Sequence, residues 1–98
     1  IGDIGGLAWC LEKFAEIAIL SGNVEYAIIV YSVASQLRAS VGSVIDPADQ
    51  QDYNHRLAFL KSRTGEVVFD QQWKEGKARK IDQIIETIQN QLIIDQDR

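Results

Sequence analysis

The sequence predicts an all-α fold, with an antiparallel helical hairpin over residues 1–42 followed by three further helices over residues 46–98, about five in all. Three observations carry that expectation. Apolar residues recur three and four apart along most of the chain, no segment alternates apolar and polar residues as a half-buried strand does, and Gly22, Gly42, Gly65 and Gly76 punctuate the periodic stretches. At 98 residues the chain is the size of a single domain and buries roughly 65% of its unfolded surface.

On a wheel of 100° per residue, residues 7 to 20 place Ile17, Cys10, Phe14, Leu7, Ala18, Leu11, Ala15, Ala8 and Ile19 on one arc of about 200°, with Glu12, Lys13 and Glu16 opposite. A surface helix needs about half that width, so the first helix is expected to have neighbours on two sides. Ser21-Gly22-Asn23 stops it, because glycine and asparagine accept the left-handed conformation of a helix C-cap. From Val24 to Val41 a second arc holds Val33, Tyr26, Leu37, Val30, Val41, Ala34 and Ala27, leaving Ile28 and Ile29 outside it. So short a connection makes the two helices antiparallel.

Gly42 ends the second helix, and Asp46-Pro47-Ala48-Asp49 starts the third: Asp46 at the N-cap, Pro47 in the first helical position, and Asp49 complementing the helix dipole. That helix runs to about Arg63, with Tyr53, Leu57 and Leu60 on its buried stripe and Phe59 or Ala58 beside them. Thr64-Gly65 breaks it. A short helix from Glu66 to Glu75 follows, carrying Val68 and the i, i+4 pair Phe69 and Trp73, with Gly76 as its C-cap. The last expected helix, Lys80 to Ile94, has Ile81, Ile84, Ile85, Ile88 and Leu92 on one face, and the polar tail from Asp95 frays.

Composition narrows the function classes. Apolar residues make up 46% and charged residues 24%, an ordinary globular balance, and the net charge of −4 argues against a nucleic-acid partner. The lone Cys10 forms neither an internal disulfide nor a cysteine-rich zinc site, so a cytoplasmic setting is the default expectation. No apolar run has the length of a membrane span, and no signal-peptide pattern is visible, so no membrane partner is expected. The chain begins at Ile1 and has no methionine, which reads as a fragment of a larger protein.

Leu11-x₂-Phe14-Ala15-x₂-Ala18, then Ala27-x₃-Tyr31 with Ala34 three further on, resembles the tetratricopeptide spacing. Ala15 and Ala27 let two helix backbones approach, and Phe14 and Tyr31 fill the space around them. Ala18 stands where that pattern has an aromatic, and Ala39 where it has proline. A second resemblance spans most of the chain. Residues Gly2-Asp3-Ile4-Gly5-Gly6-Leu7-Ala8-Trp9-Cys10-Leu11-Glu12, the Gly22 turn, Leu37-Arg38, Tyr53 and Thr64-Gly65-Glu66-x₂-Phe69-x₃-Trp73-x-Glu75-Gly76 look like the tetratricopeptide-like tail of large bacterial signal-transduction NTPases, the LuxR-type transcriptional regulators and their relatives. The resemblance implies a right-handed superhelix end, with activity in other domains and with preceding helical repeats as partners.

Chemistry-bearing residues are sparse. His55 has no cysteine or histidine companion and reads as a surface histidine, while Cys10 reads as a small hydrophobe on the buried arc. Asp46, Asp49 and Asp52 lack the glycine and terminal glutamate of a calcium loop. Gly2 to Gly6 precede a helix, but no Lys-Ser/Thr follows as a phosphate loop requires. Between Arg56 and Lys80 seven basic residues face three acids, with Lys74, Lys77, Arg79 and Lys80 close together, a solvated edge or an acidic-partner contact. Trp9 lies beside Lys13 and Glu16, away from the apolar arc, where a tryptophan is either an interface anchor or is covered by Ile1 to Ile4 or by the last helix.

With no cofactor, metal cluster or nucleophile-base set in view, the expected function is non-catalytic: a protein-interaction module of a multidomain signalling or transcription-regulating ATPase. The candidate partner contacts are Trp9, Ile19, Ile28, Ile29, Lys74, Lys77 and Arg79. The hairpin-packing set is Leu11, Phe14, Ala15, Ala27, Tyr31 and Ala34. A homo-oligomerisation unit, a possible homodimer, is the alternative, and a small enzyme or metal protein ranks well below both.

Overall fold

The structure is a computed structural model that describes residues 4–79 and Glu86. Among the described residues all regular structure is helical: α1 (Ile4–Leu20), α2 (Val24–Val41), α3 (Pro47–Thr64) and α4 (Glu66–Ala78), with no strand. No helix there is long and apolar enough to cross a membrane. The expected fifth helix, Lys80 to Ile94, lies outside the described residues except for Glu86, which is helical and exposed.

The turn between α1 and α2 is built by local chemistry. Gly22 adopts φ +85°, its N–H donates to the Ile19 carbonyl at 3.0 Å, and the Asn23 N–H donates to the Ala18 carbonyl at 2.8 Å. Those two bonds form the Schellman closure, which satisfies carbonyls that a helix end leaves orphaned. The chain reverses within three residues, and α1 and α2 pack side by side. The start of α3 is equally local: the Asp46 carboxylate accepts from the Ala48 N–H at 2.9 Å, and Pro47 follows it.

α2 is the centre of the molecule. Every residue from Ala27 to Ala34 is buried, as happens when a helix has packing partners around its circumference. α1 covers one side through Ala8, Leu11, Ala15 and Ala18. α4 covers another. Gln72 meets Glu25, Trp73 meets Ser32, and Gly76 meets Gln36, in ascending order, so α4 runs alongside α2 in the same sense. α3 crosses more loosely and adds Leu60 to the core, with Tyr53 and Leu57 packed against it. Edge-to-face rings join α1 to α2 at Phe14 and Tyr26 and α2 to α3 at Tyr31 and Tyr53, with centroids 6.1 and 5.6 Å apart.

The second partner of α2 corrects the sequence reading of Ile28 and Ile29. Set outside the apolar arc as partner contacts, they are 0% and 6% exposed, because α4 occupies the face that the hairpin alone leaves open. Gly76 is not the C-cap of α4 either; the helix continues to Ala78, and the cap is the extended Arg79, whose N–H donates to the Glu75 and Gly76 carbonyls. A Cβ on Gly76 would stand 2.5 Å from the Ser32 Cβ and 2.8 Å from the Ile29 carbonyl oxygen. The glycine is there for close approach. Ser32 is itself fully buried and donates its hydroxyl to the Trp73 carbonyl at 2.7 Å, so its polar atom is satisfied across the same seam.

α1 is also turned from the expected orientation, by roughly 60° on the 100° wheel. Ile17 and Cys10, assigned to the buried arc, are exposed, whereas Glu12, assigned to the polar side, is buried. The Glu12 carboxylate faces inward because an arginine meets it there. In α3, Phe59 and Ala58 are exposed and leave the stripe to Tyr53, Leu57 and Leu60.

Candidate interaction surfaces

Two surfaces stand out, both involving α1. The first is its outer side. Trp9, Lys13, Ile17 and Leu20 follow one another at helical spacing opposite Ala8, Leu11 and Ala15, and Trp9, Ile17 and Leu20 are 52%, 59% and 88% exposed. The Lys13 ammonium lies 5.3 Å from the centre of the Trp9 ring, a cation held against the electron-rich face. Around the edge of the helix, Ile19, Leu20, His55 and Phe59 border a shallow, mostly apolar depression of about 390 Å³.

The second surface is a polar groove of about 320 Å³ between α1, the end of α2 and the first turns of α3. Its frame is an ion pair. Arg38 donates from Nε and Nη2 to the two Glu12 carboxylate oxygens at 2.7 and 2.8 Å, and from Nη1 to the Ser43 hydroxyl and the Val44 carbonyl at 3.0 and 3.1 Å. Both side chains are about nine-tenths buried. One guanidinium therefore ties α1, α2 and the 42–46 loop together, and so places the start of α3. The hydrogen bonds to Glu12 raise the pKa of Arg38 further, against the opposing effect of burial.

Above that frame the Arg56 guanidinium reaches Glu16 at 3.2 Å, and the Lys13 ammonium reaches the same carboxylate at 3.1 Å. Tyr31 and Tyr53 also line the groove. Burial raises the phenol pKa of both, and the nearby carboxylates, Glu16 for Tyr31 and Glu12 for Tyr53, push in the same direction. The Tyr31 hydroxyl is buried and has no hydrogen-bond partner among the described residues; the same is true of Tyr26.

The remaining sequence candidates are dispersed. Leu11, Ala15, Ala27, Tyr31 and Ala34 are in the core, with Phe14 packed against it, and Ile19 is half-buried. Lys74 and Lys77 are exposed on α4, but Arg79 is half-buried and bonded to Glu75 at 3.0 Å, beside a small depression with Val33 and Leu37. The basic cluster thus divides between two faces. His55 is exposed, and no group of three or more His, Cys, Asp or Glu among the described residues is placed to hold a metal ion. The sequence reading missed the Glu12 and Arg38 pair. Its only signal was an acid in the first helix and an arginine near the end of the second, and that signal needs the hairpin register to be read.

No protein-family model, curated protein or solved structure matches this chain.

Proposed function

We propose that this chain is a non-catalytic helical interaction module whose outer α1 face docks another helix. The observation that carries the reading is the stripe of Trp9, Ile17 and Leu20 on the side of α1 turned away from α2. Trp9, Ile17 and Leu20 stand eight and three positions apart, about two turns and one turn along one face; apolar anchors aligned in this way are a standard means of helix-on-helix recognition, and tryptophan is a favoured anchor. The tetratricopeptide-like spacing of the hairpin agrees with such a role, since a repeat unit cannot bury its apolar faces alone. In the regulator reading, the docked helix belongs to a preceding helical repeat of a multidomain bacterial signalling ATPase.

A photo-crosslinking amino acid placed at position 17 tests the proposal in cells producing the full-length polypeptide. Adducts to a helical segment, lost when Trp9 and Leu20 are changed to aspartate, are the expected result. Absence of adducts from positions 9, 17 and 20, together with an unchanged monomer at high concentration in sedimentation, overturns it. Adducts between two copies of the chain assign the docked helix to a homodimer.

A further inference from the structure

The groove between α1 and α3 carries different chemistry from the apolar stripe. Its cations are already engaged: Arg38 by Glu12, and Arg56 and Lys13 by Glu16. Asp46 caps α3 through the Ala48 N–H, but two of the groove's carboxylates are not engaged. Asp49 and Asp52 border the groove on the α3 side, are exposed, and have no ion-pair partner among the described residues. Asp49 lies in the first turn of α3 and complements the dipole there, but Asp52 lies beyond that turn, where the dipole gives it little.

A second observation points inward. Tyr31 is 1% exposed, lines the groove, and keeps a hydroxyl without a hydrogen-bond partner among the described residues. The charged groups that act on that hydroxyl, Glu16, Arg56 and Glu12, all line the groove, so it faces the groove and not the apolar core. Buried polar groups are nearly always hydrogen-bonded, and a phenol hydroxyl left without a partner can accept an N–H as well as donate its own proton. The Arg56 and Glu16 pair that lines the groove with it is partly exposed, and pairs of that kind are held weakly.

The carboxylates do not converge on a point as a metal ion requires. Their spread suits a larger cation with several N–H donors. We propose that the groove binds an organic cation, the guanidinium or ammonium of an arginine or lysine side chain or of a free amine. Asp49 and Asp52 counter its charge, and the Tyr31 oxygen accepts one of its N–H groups. The cavity is at the small end of the range for ligand pockets, which fits one side chain or a short amine. Trp9, which also lines the groove, already holds Lys13 against its ring, an arrangement that a ligand cation can reproduce.

The test is a titration of the full chain, followed by two-dimensional amide NMR, with an end-blocked arginine peptide, its glutamate counterpart and spermidine. The arginine peptide is expected to bind saturably with a Kd below about 1 mM, moving resonances of residues 9–16 and 43–56, while the glutamate peptide does not bind. Asp49→Asn combined with Asp52→Asn weakens binding about tenfold or more, and Tyr31→Phe weakens it about tenfold while leaving the thermal midpoint unchanged or higher. That last pairing separates a ligand contact from a structural role. Equal binding of spermidine assigns the cation to a free amine, and preference for the peptide assigns it to a protein side chain; both support the site. Equal affinity for the acidic peptide, indifference to both variants, or no saturable cation binding up to about 10 mM overturns it. Ile17 lies on the docking stripe but does not line the groove, so Ile17→Asp is expected to leave cation binding unchanged.

Discussion

α1 and α2 are nearly equal in length, 17 and 18 residues, and α1 is the more apolar of the two. Even so, α2 is enclosed from Ala27 to Ala34, whereas α1 presents Trp9, Ile17 and Leu20 to solvent. Burial here follows the number of neighbouring elements and not apolar content. α2 has α1, α3 and α4 around it, while α1 rests mainly on α2. An apolar side on the less enclosed helix is what the docking proposal explains.

The comparison breaks most sharply under matched truncations. Ile28→Ala is expected to cost about 2–5 kcal/mol, because the site is fully buried and truncation leaves a cavity in the core. Ile17→Ala is expected to change stability by no more than about 0.5 kcal/mol. Denaturant unfolding measures both, and equal losses would mean that the outer face of α1 is part of the core.

Next is the polar lock between the two helices. Arg38→Met leaves the Glu12 carboxylate buried and unpaired, and a loss of about 3 kcal/mol is expected from breaking one side of a buried ion pair. Glu12→Gln combined with Arg38→Met removes the stranded charge and should recover part of that loss. Additive losses in the double variant would show that the two groups are not coupled.

The seam with α4 gives a smaller effect. Gly76→Ala forces a Cβ against Ser32 and the Ile29 carbonyl, an overpacking cost of about 1–3 kcal/mol. Thermal melts of Gly76→Ala and Lys77→Ala compare a seam position with an exposed one on the same helix, and an equal effect would place the seam elsewhere.

Tyrosine ionisation is the finest probe. Tyr26, Tyr31 and Tyr53 all have raised pKa values, burial being the first cause in each. A raised acid favours its neutral form in the folded state, so its stabilising contribution is complete below the unfolded value near pH 10 and declines as pH climbs towards the folded value. Helical circular dichroism should therefore fall together with the rise of phenolate absorbance above about pH 10. Tyr31→Phe removes an unpartnered hydroxyl and one ionisation, so stability at pH 7 should hold or rise by about 1 kcal/mol, with a shallower alkaline decline. Phenolate absorbance rising at the ordinary pH with the helices intact would contradict the enclosure of these rings.

What the sequence made legible was local. Gly22, Gly42 and Asp46-Pro47 set helix ends through bonds between residues a few positions apart, and those chain positions can be read directly. The orientation of each helix was less legible, because it depends on which neighbours arrive. Ile28 and Ile29 are buried because α4 returns to α2, and a wheel drawn for one helix carries no sign of that. Glu12 was assigned to solvent by its charge, although Arg38, 26 positions later, makes the interior acceptable to it. Gly76 gave the same signal as Gly22, and only the close approach of Ser32 distinguishes a spacing glycine from a capping one.

Gly65 both ends α3 and begins α4, at φ 92° and ψ 154°, a conformation almost confined to glycine. A one-residue corner has no slack for changes in chain length. Inserting a single residue into α4 just after it would turn the rest of that helix by about 100° about its own axis. Gly76 would leave the Ser32 notch and a side chain would arrive in its place, so the chain should tolerate almost no length variation between Thr64 and Gly76.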